Sequence, residues 1–337
     1  MSNKLFLAAG ITALAVGLSV PANANLVYNF TSFDGPGNNG GGTTVNGIDN
    51  NGDLVGFSSD NAATPTLFTN FIRNPNGTFN ILSIGGDPLA MANGINNSRT
   101  VVGMDSSGTA FQLAGATLTT LPLASGTTTS EAAFGINNGG LIVGQYADSA
   151  TGTTPGFLLD GGLFTTLNPV VNAAVTNAQG VNNNGLVTGF YSIDGVHQHG
   201  FFYNSTTTQF TLPPDPIIPN LVLTQFLGIN DEGLAVGYYQ LPDGSQHGFL
   251  YNLNTQTYTF LDDPNAATSG VSITQITGVN DSGEIDGFYV DPNSGLQRGF
   301  FAVATPEPAN LGLLLGTLVL VLPAGRSLLG RLKPTAE

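Results

Sequence analysis

Apolar residues fall along this chain in short runs separated by turn formers. In one stretch the runs are Leu223 to Ile229, Leu234 to Tyr239, Gly248 to Tyr251 and Tyr258 to Leu261. The first two are joined by Asn230-Asp231-Glu232-Gly233. Asn and Asp tolerate left-handed backbone and Gly takes positive φ freely, so this joint predicts a hairpin. The same joint recurs as Asn50-Asn51-Gly52, Asn183-Asn184-Gly185 and Asp281-Ser282-Gly283. The joint between the second and third strands varies most, as Tyr146 to Pro155 against Asp105 to Gly108 shows. Helical periodicity is absent outside the termini.

The four-run group recurs six times. Its cores are Gly47-Ile48-Asp49-Asn50, Gly94-Ile95-Asn96-Asn97, Gly135-Ile136-Asn137-Asn138, Gly180-Val181-Asn182-Asn183, Gly228-Ile229-Asn230-Asp231 and Gly278-Val279-Asn280-Asp281. Successive first glycines lie about 47, 41, 45, 48 and 50 residues apart, the length of a propeller blade. The fold class predicted is all-β, a six-bladed β-propeller of four-stranded antiparallel blades. The sixth unit runs from Gly299-Phe300-Phe301 directly to Pro306 and lacks a fourth strand. Tyr28 to Pro36 reads like that missing strand, so residues near 26–34 are expected to complete the last blade and remove the exposed edges. An open β-solenoid or a pair of β-sandwiches would not need a split repeat. Gly56, Gly103, Gly144, Gly189, Gly237 and Gly287 recur inside the second strand, which suggests blades crowding near the axis.

Composition narrows the setting. The formal net charge is -15 and the chain has no Cys. Between the terminal segments the only basic residues are Arg73, Arg99 and Arg298, so a nucleic-acid partner is not expected. Export is favoured, since a cysteine-free chain avoids oxidative mispairing.

Both ends read as addresses. Residues 1–24 have the form of a Sec signal peptide: Lys4, the apolar stretch Leu5 to Val20, then the cleavage site Ala22-Asn23-Ala24. The propeller is expected over 25–304, and a sorting segment over 305–337. That segment holds Pro306-Glu307-Pro308, an apolar helix from Leu311 to Leu322, and a basic tail with Arg326, Arg331 and Lys333. Its order resembles the PEP-CTERM signal of Gram-negative bacteria; Pro323, which interrupts the apolar run, departs from it. The resemblance implies signal peptidase and exosortase as processing partners. It also implies transient anchorage in the inner membrane and delivery to the cell surface or extracellular matrix. The third-strand starts Gln198-His199-Gly200-Phe201, Gln246-His247-Gly248-Phe249 and Gln297-Arg298-Gly299-Phe300 are similar to the extracellular HAF-repeat family, with Gly where that family often has Ala. The similarity covers residues about 45–303 and implies an exported repeat protein without an activity.

Four kinds of residue invite chemistry. His197, His199 and His247 raise a metal site, but His199 and His247 hold equivalent places in different blades, with Arg298 in a third, which fits a loop contact better. Asp49, Asp53, Asp281 and Asp286 raise calcium, although the loops are short and turn chemistry explains the same residues. Asp286 stands where other repeats have Val55, Val102, Val143, Thr188 and Val236, either as a site or as an irregularity of the last blade. Tyr146, Tyr191, Tyr238, Tyr239 and Tyr289 would stack on sugars if exposed, and pack between blades if not. There is no nucleophile elbow, P-loop or dinucleotide fingerprint, hence no cofactor box.

The function expected is an exported, non-enzymatic surface or matrix protein that binds polysaccharide or another envelope component. PEP-CTERM proteins are associated with exopolysaccharide, so the resemblance implies a matrix role. The alternative is a carbohydrate-active lyase or hydrolase using acids at the propeller channel.

Overall fold

The hairpin joints form as their residues require. In the computed structural model, Asn230 N–H donates to Leu234 O (3.0 Å), and Gly233 takes φ +80°. The structure describes residues 27–305. The expected signal peptide and the sorting segment from Pro306 onward, with Glu307 and Pro308, lie outside the described residues. The described residues hold six four-stranded sheets and no helix. Residues 29–303 form one compact unit.

Five sheets use four strands in chain order. The fifth has strands Leu223–Ile229, Leu234–Gln240, Gln246–Asn252 and Thr257–Phe260, close to the runs read from the sequence. The sixth is composite: Val27–Phe33 hydrogen-bonds to Gln297–Thr305, which continues to Ile285–Val290 and Thr274–Val279. The N-terminal strand therefore completes the last blade, as expected. Phe30 packs edge-on against Phe300 at 5.1 Å across this closure.

The second-strand glycines have a different cause from the one expected. Each lies opposite a third-strand Phe: Gly56 pairs with Phe71, Gly144 with Phe157, Gly237 with Phe249 and Gly287 with Phe300. A Cβ on Gly144 would meet the Phe157 ring at 2.6 Å and the Ala132 carbonyl of the same blade's inner strand. The crowding is within the blade. Glycine there lets a fully buried Phe lie across the sheet.

The glycines at the axis are those that open each Gly-Ile/Val core. A Cβ on Gly135 would meet Gln179 O of the next blade at 2.6 Å, and one on Gly228 would meet Thr277 O at 3.0 Å. A Cβ on Gly278 would in turn meet Gly47 Cα at 3.1 Å, so the ring closes on itself.

Every inner strand carries a register shift just before this glycine, between Val45/Gly47, Ala92/Gly94, Ala133/Gly135, Ala178/Gly180, Phe226/Gly228 and Ile276/Gly278. A bulge re-aims one side chain per blade. The bulged residues are Asn46, Asn93, Phe134, Gln179, Leu227 and Thr277.

Candidate functional site

The axial channel has two unlike ends. At one end the paired Asn/Asp residues after each core glycine form hydrogen-bonded rings. Backbone N–H groups of Asn50, Asn97, Asn138, Asn183, Asp231 and Asp281 each donate to the side-chain oxygen of the equivalent residue in the next blade, at 2.7–2.9 Å. A second ring uses the preceding residue. The Nδ2 groups of Asn96, Asn137, Asn182, Asn230 and Asn280 each donate to the next blade's carbonyl, at 2.9–3.2 Å. Blade 1 has Asp49 there, whose carboxylate side chain has no N–H to donate; Asn51 Nδ2 instead donates to Asn97 O (3.1 Å). These amides fasten blade to blade and narrow this mouth to a space of about 60 Å³.

The core glycines and the Ile/Val residues after them line a channel of about 80 Å³. It opens into a cup of about 270 Å³, lined by all six bulged residues together with Thr44, Gln225, Gln275 and Phe288. No ionisable side chain lines the cup. Asn46 Nδ2 donates to Ala92 O (3.0 Å) and Asn93 Nδ2 to Ala133 O (2.9 Å), so neighbouring blades hold these amides in place. Gln275 Nε2 donates to Gln246 Oε1 (2.7 Å). The bulged residues belong to no recurring motif of the sequence. Their signal was variety: the position just before each core glycine reads Asn, Asn, Phe, Gln, Leu, Thr while the glycine recurs.

The acids proposed for calcium are not gathered. Asp49 Oδ1 accepts from Asn51 N and Asp53 N, both at 2.9 Å, which caps the turn. Asp53 is gripped by Arg99 of the next blade, Nε to Oδ2 at 2.7 Å and Nη2 to Oδ1 at 2.8 Å. Asp281 accepts from Asp231 N and from Asn50 Nδ2 at 2.5 Å, inside the ring. Asp286 is 0 % exposed, behind Thr277 and Gly278. Among the described residues no three His or acidic side chains converge on a metal position.

The histidines bond separate carboxylates: His197 Nδ1 lies 2.7 Å from Asp194, His199 Nδ1 2.6 Å from Asp215, and His247 Nδ1 2.7 Å from Asp262. Tyr146, Tyr191, Tyr238 and Tyr289 are buried, so no ring face is open to a sugar; Tyr239 is half-buried and stacks on His247 at 5.2 Å.

Burial pushes the Asp286 carboxyl up to about 7. The hydrogen bonds it accepts, from Thr277 and from the Gly278 and Asp286 backbone, offset only part of that burial. Thr277 has one hydroxyl proton, and Val45 O of blade 1 is its nearer acceptor at 2.8 Å. Asp286 Oδ1, at 3.1 Å, is the more distant acceptor of the same hydroxyl.

These features define a six-bladed β-propeller with one axial end fastened by amides and the other open as an uncharged cup. No family model and no curated protein matches the sequence. Three solved structures similar in fold are the Trypanosoma rangeli sialidase in complex with the inhibitor DANA, a mutant of AofleA from Arthrobotrys oligospora, and TolB from Acinetobacter baumannii. The sialidase is 11% identical, over 83% of this chain and 56% of that one, with a TM-score of 0.48. AofleA is 9% identical over 83% and 90%, with a TM-score of 0.47. TolB is 12% identical over 75% of this chain, which spans 64% of TolB's length, with a TM-score of 0.45. The likeness concerns the propeller alone.

Proposed function

We propose that the protein is an exported, non-enzymatic propeller of the cell surface or extracellular matrix that binds polysaccharide in its open axial cup. The observation that carries this reading is the set of six bulged side chains, re-aimed into one cup of amides, hydroxyl and rings without a charge. Amides both donate and accept, which suits sugar hydroxyls, and Phe134 offers an apolar surface for a sugar ring. Hydrolysis of a glycosidic bond by the usual mechanism uses two carboxyl groups flanking it. The cup has none, and Asp286 is sealed behind Thr277. A hydrolase acting in the cup therefore has less support than binding.

Export by the Sec route and exosortase processing at Pro306-Glu307-Pro308 belong to the same proposal, supported by the order of the terminal segments. A neutral-glycan array followed by calorimetry tests the binding. Phe134→Ala and Gln179→Ala should each weaken the best neutral glycan at least about tenfold. No bound glycan, or equal affinity in both variants, would overturn the reading.

A further inference from the structure

The polar side chains of the open cup carry donors and acceptors alike, but the protein engages their donors: one N–H of every amide and both hydroxyl protons. Asn46 Nδ2 donates to Ala92 O (3.0 Å) and lies 3.4 Å from Asn93 Oδ1. Asn93 Nδ2 donates to Ala133 O (2.9 Å). A backbone carbonyl only accepts, so both amides are held with an N–H toward the next blade. Thr277 has a single hydroxyl proton and donates it to Val45 O at 2.8 Å.

The rest of the wall does the same through side chains. Gln179 Nε2 donates to Asn177 Oδ1 (3.0 Å), Gln275 Nε2 to Gln246 Oε1 (2.7 Å), and Gln225 Nε2 to Gln198 Oε1. Thr44 Oγ1 donates to Gln297 Oε1 (3.0 Å). Gln246 is itself fixed, because its Nε2 donates to Gln240 Oε1 (3.0 Å). Gln198, Gln246 and Gln297 stand at the third-strand starts of blades 4, 5 and 6, and each serves a cup residue of the following blade.

The matching oxygens are left over. Asn46 Oδ1 and the Oε1 atoms of Gln179, Gln225 and Gln275 accept no hydrogen bond among the described residues, and they remain open to solvent. All four residues line the cup beside Phe134. The wall is therefore uncharged and dominated by acceptors.

Such a wall discriminates between sugars. A free hydroxyl donates to one of these oxygens, whereas an acceptor covered by a ligand without a donor keeps its desolvation cost. A carboxylate, a sulfate or an ester sets acceptors against acceptors, and the net charge of -15 further repels an anion. An ammonium would give up its water with no countercharge in the wall.

We propose that the cup selects a neutral sugar unit with free hydroxyl groups and rejects the same unit carrying a carboxylate, sulfate or O-acyl group. This inference rests on the polysaccharide-binding reading and adds the class of sugar.

The test is a glycan array probed with the full chain, followed by calorimetry. The array carries hexose oligomers in matched forms: unsubstituted, O-acetylated, sulfated, and with uronic acid in place of hexose. The unsubstituted form should bind at least about tenfold more tightly than each counterpart. Deoxyfluoro analogues of the best binder replace one hydroxyl at a time by fluorine, which is close in size and cannot donate. At least one position should weaken binding about tenfold or more. Gln179→Lys puts a donor and a positive charge in the wall and should tighten the uronate form at least about tenfold. If that variant fails to fold, Leu227→Lys, at the equivalent bulge of blade 5, carries the same expectation. Equal or tighter binding of the uronate or sulfated form by the unsubstituted chain would overturn the proposal. So would deoxyfluoro analogues that all bind like the sugar itself; in either case a loss on Phe134→Ala would still support neutral-glycan binding in the cup. No bound neutral form would instead overturn the cup reading, and this proposal with it.

Discussion

Replacing Asp286 with the residue that four other blades carry at its place should stabilise the protein, and only above mildly acidic pH. Val55, Val102, Val143 and Val236 occupy the equivalent position and are buried, so Asp286→Val has a precedent inside the same fold. The carboxyl pKa moves from 3.8 to about 7 because it is fully buried. Roughly three pKa units correspond to about 4 kcal/mol favouring the neutral form. The folded state then holds a proton that the unfolded chain releases near pH 3.8. Stability from this group is therefore complete below that value, falls as pH rises, and levels off above about 7. Between about pH 5 and 8 the loss is roughly two units, or about 3 kcal/mol.

Asp286→Val removes that slope. Thr277 keeps its bond to Val45 O, so the substitution orphans no hydroxyl. Urea denaturation followed by circular dichroism and tyrosine fluorescence, at about pH 5 and pH 8, measures the difference; the chain has no Trp. Glu131 is also buried, with its pKa pushed up to about 7, and it titrates in both proteins. Its contribution cancels when the variant is compared with the parent. The variant should gain about 3 kcal/mol on the parent between the two pH values. An unchanged pH slope would refute the buried-acid argument. So would a variant less stable than the parent at pH 8.

Asp49→Asn should complete the second amide ring by giving blade 1 the donor that the other five blades have, directed at Asn96 O. A net hydrogen bond contributes about 1 kcal/mol, and differential scanning calorimetry should show a melting point about 2–4 °C higher. Arg99→Ala should cost about 2–3 kcal/mol in denaturant midpoint analysis. It strands the Asp53 carboxylate, whose side chain is 2% exposed, although the guanidinium itself is half in solvent.

The architecture was legible because each blade carries its own punctuation. Asn-x-Gly hairpins, four apolar runs and a period in the forties fix strand number and order, and the truncated sixth unit beside a spare strand at Val27–Phe33 gives the closure. Which glycines face the axis was not legible. Both sets recur once per blade, and the choice depends on the bulge, whose position shows only in the pairing. Gly144 avoids a carbonyl and a ring of its own blade, whereas Gly135 avoids the neighbouring blade. The tyrosines follow the strand glycines in sequence, but the sequence does not show that four of the five are buried and Tyr239 half-buried, which decides their role. Asp286 was legible as an exception to its column; only the coordinates place it behind Thr277.

The recurring residues are accounted for by assembly. The core glycine permits close packing at the axis, the Asn pair links the blades, and the strand glycine accommodates its Phe. Recognition must then fall to positions that the repeat leaves free. One such position lies beside open space, the bulged residue at the cup. Changing one bulged residue alters what the cup offers without touching the core glycine or the amide rings. Asn46, Asn93 and Thr277 also bond the next blade's carbonyls, so it is at Phe134, Gln179 and Leu227 that substitutions in the cup should change ligand affinity far more than melting temperature.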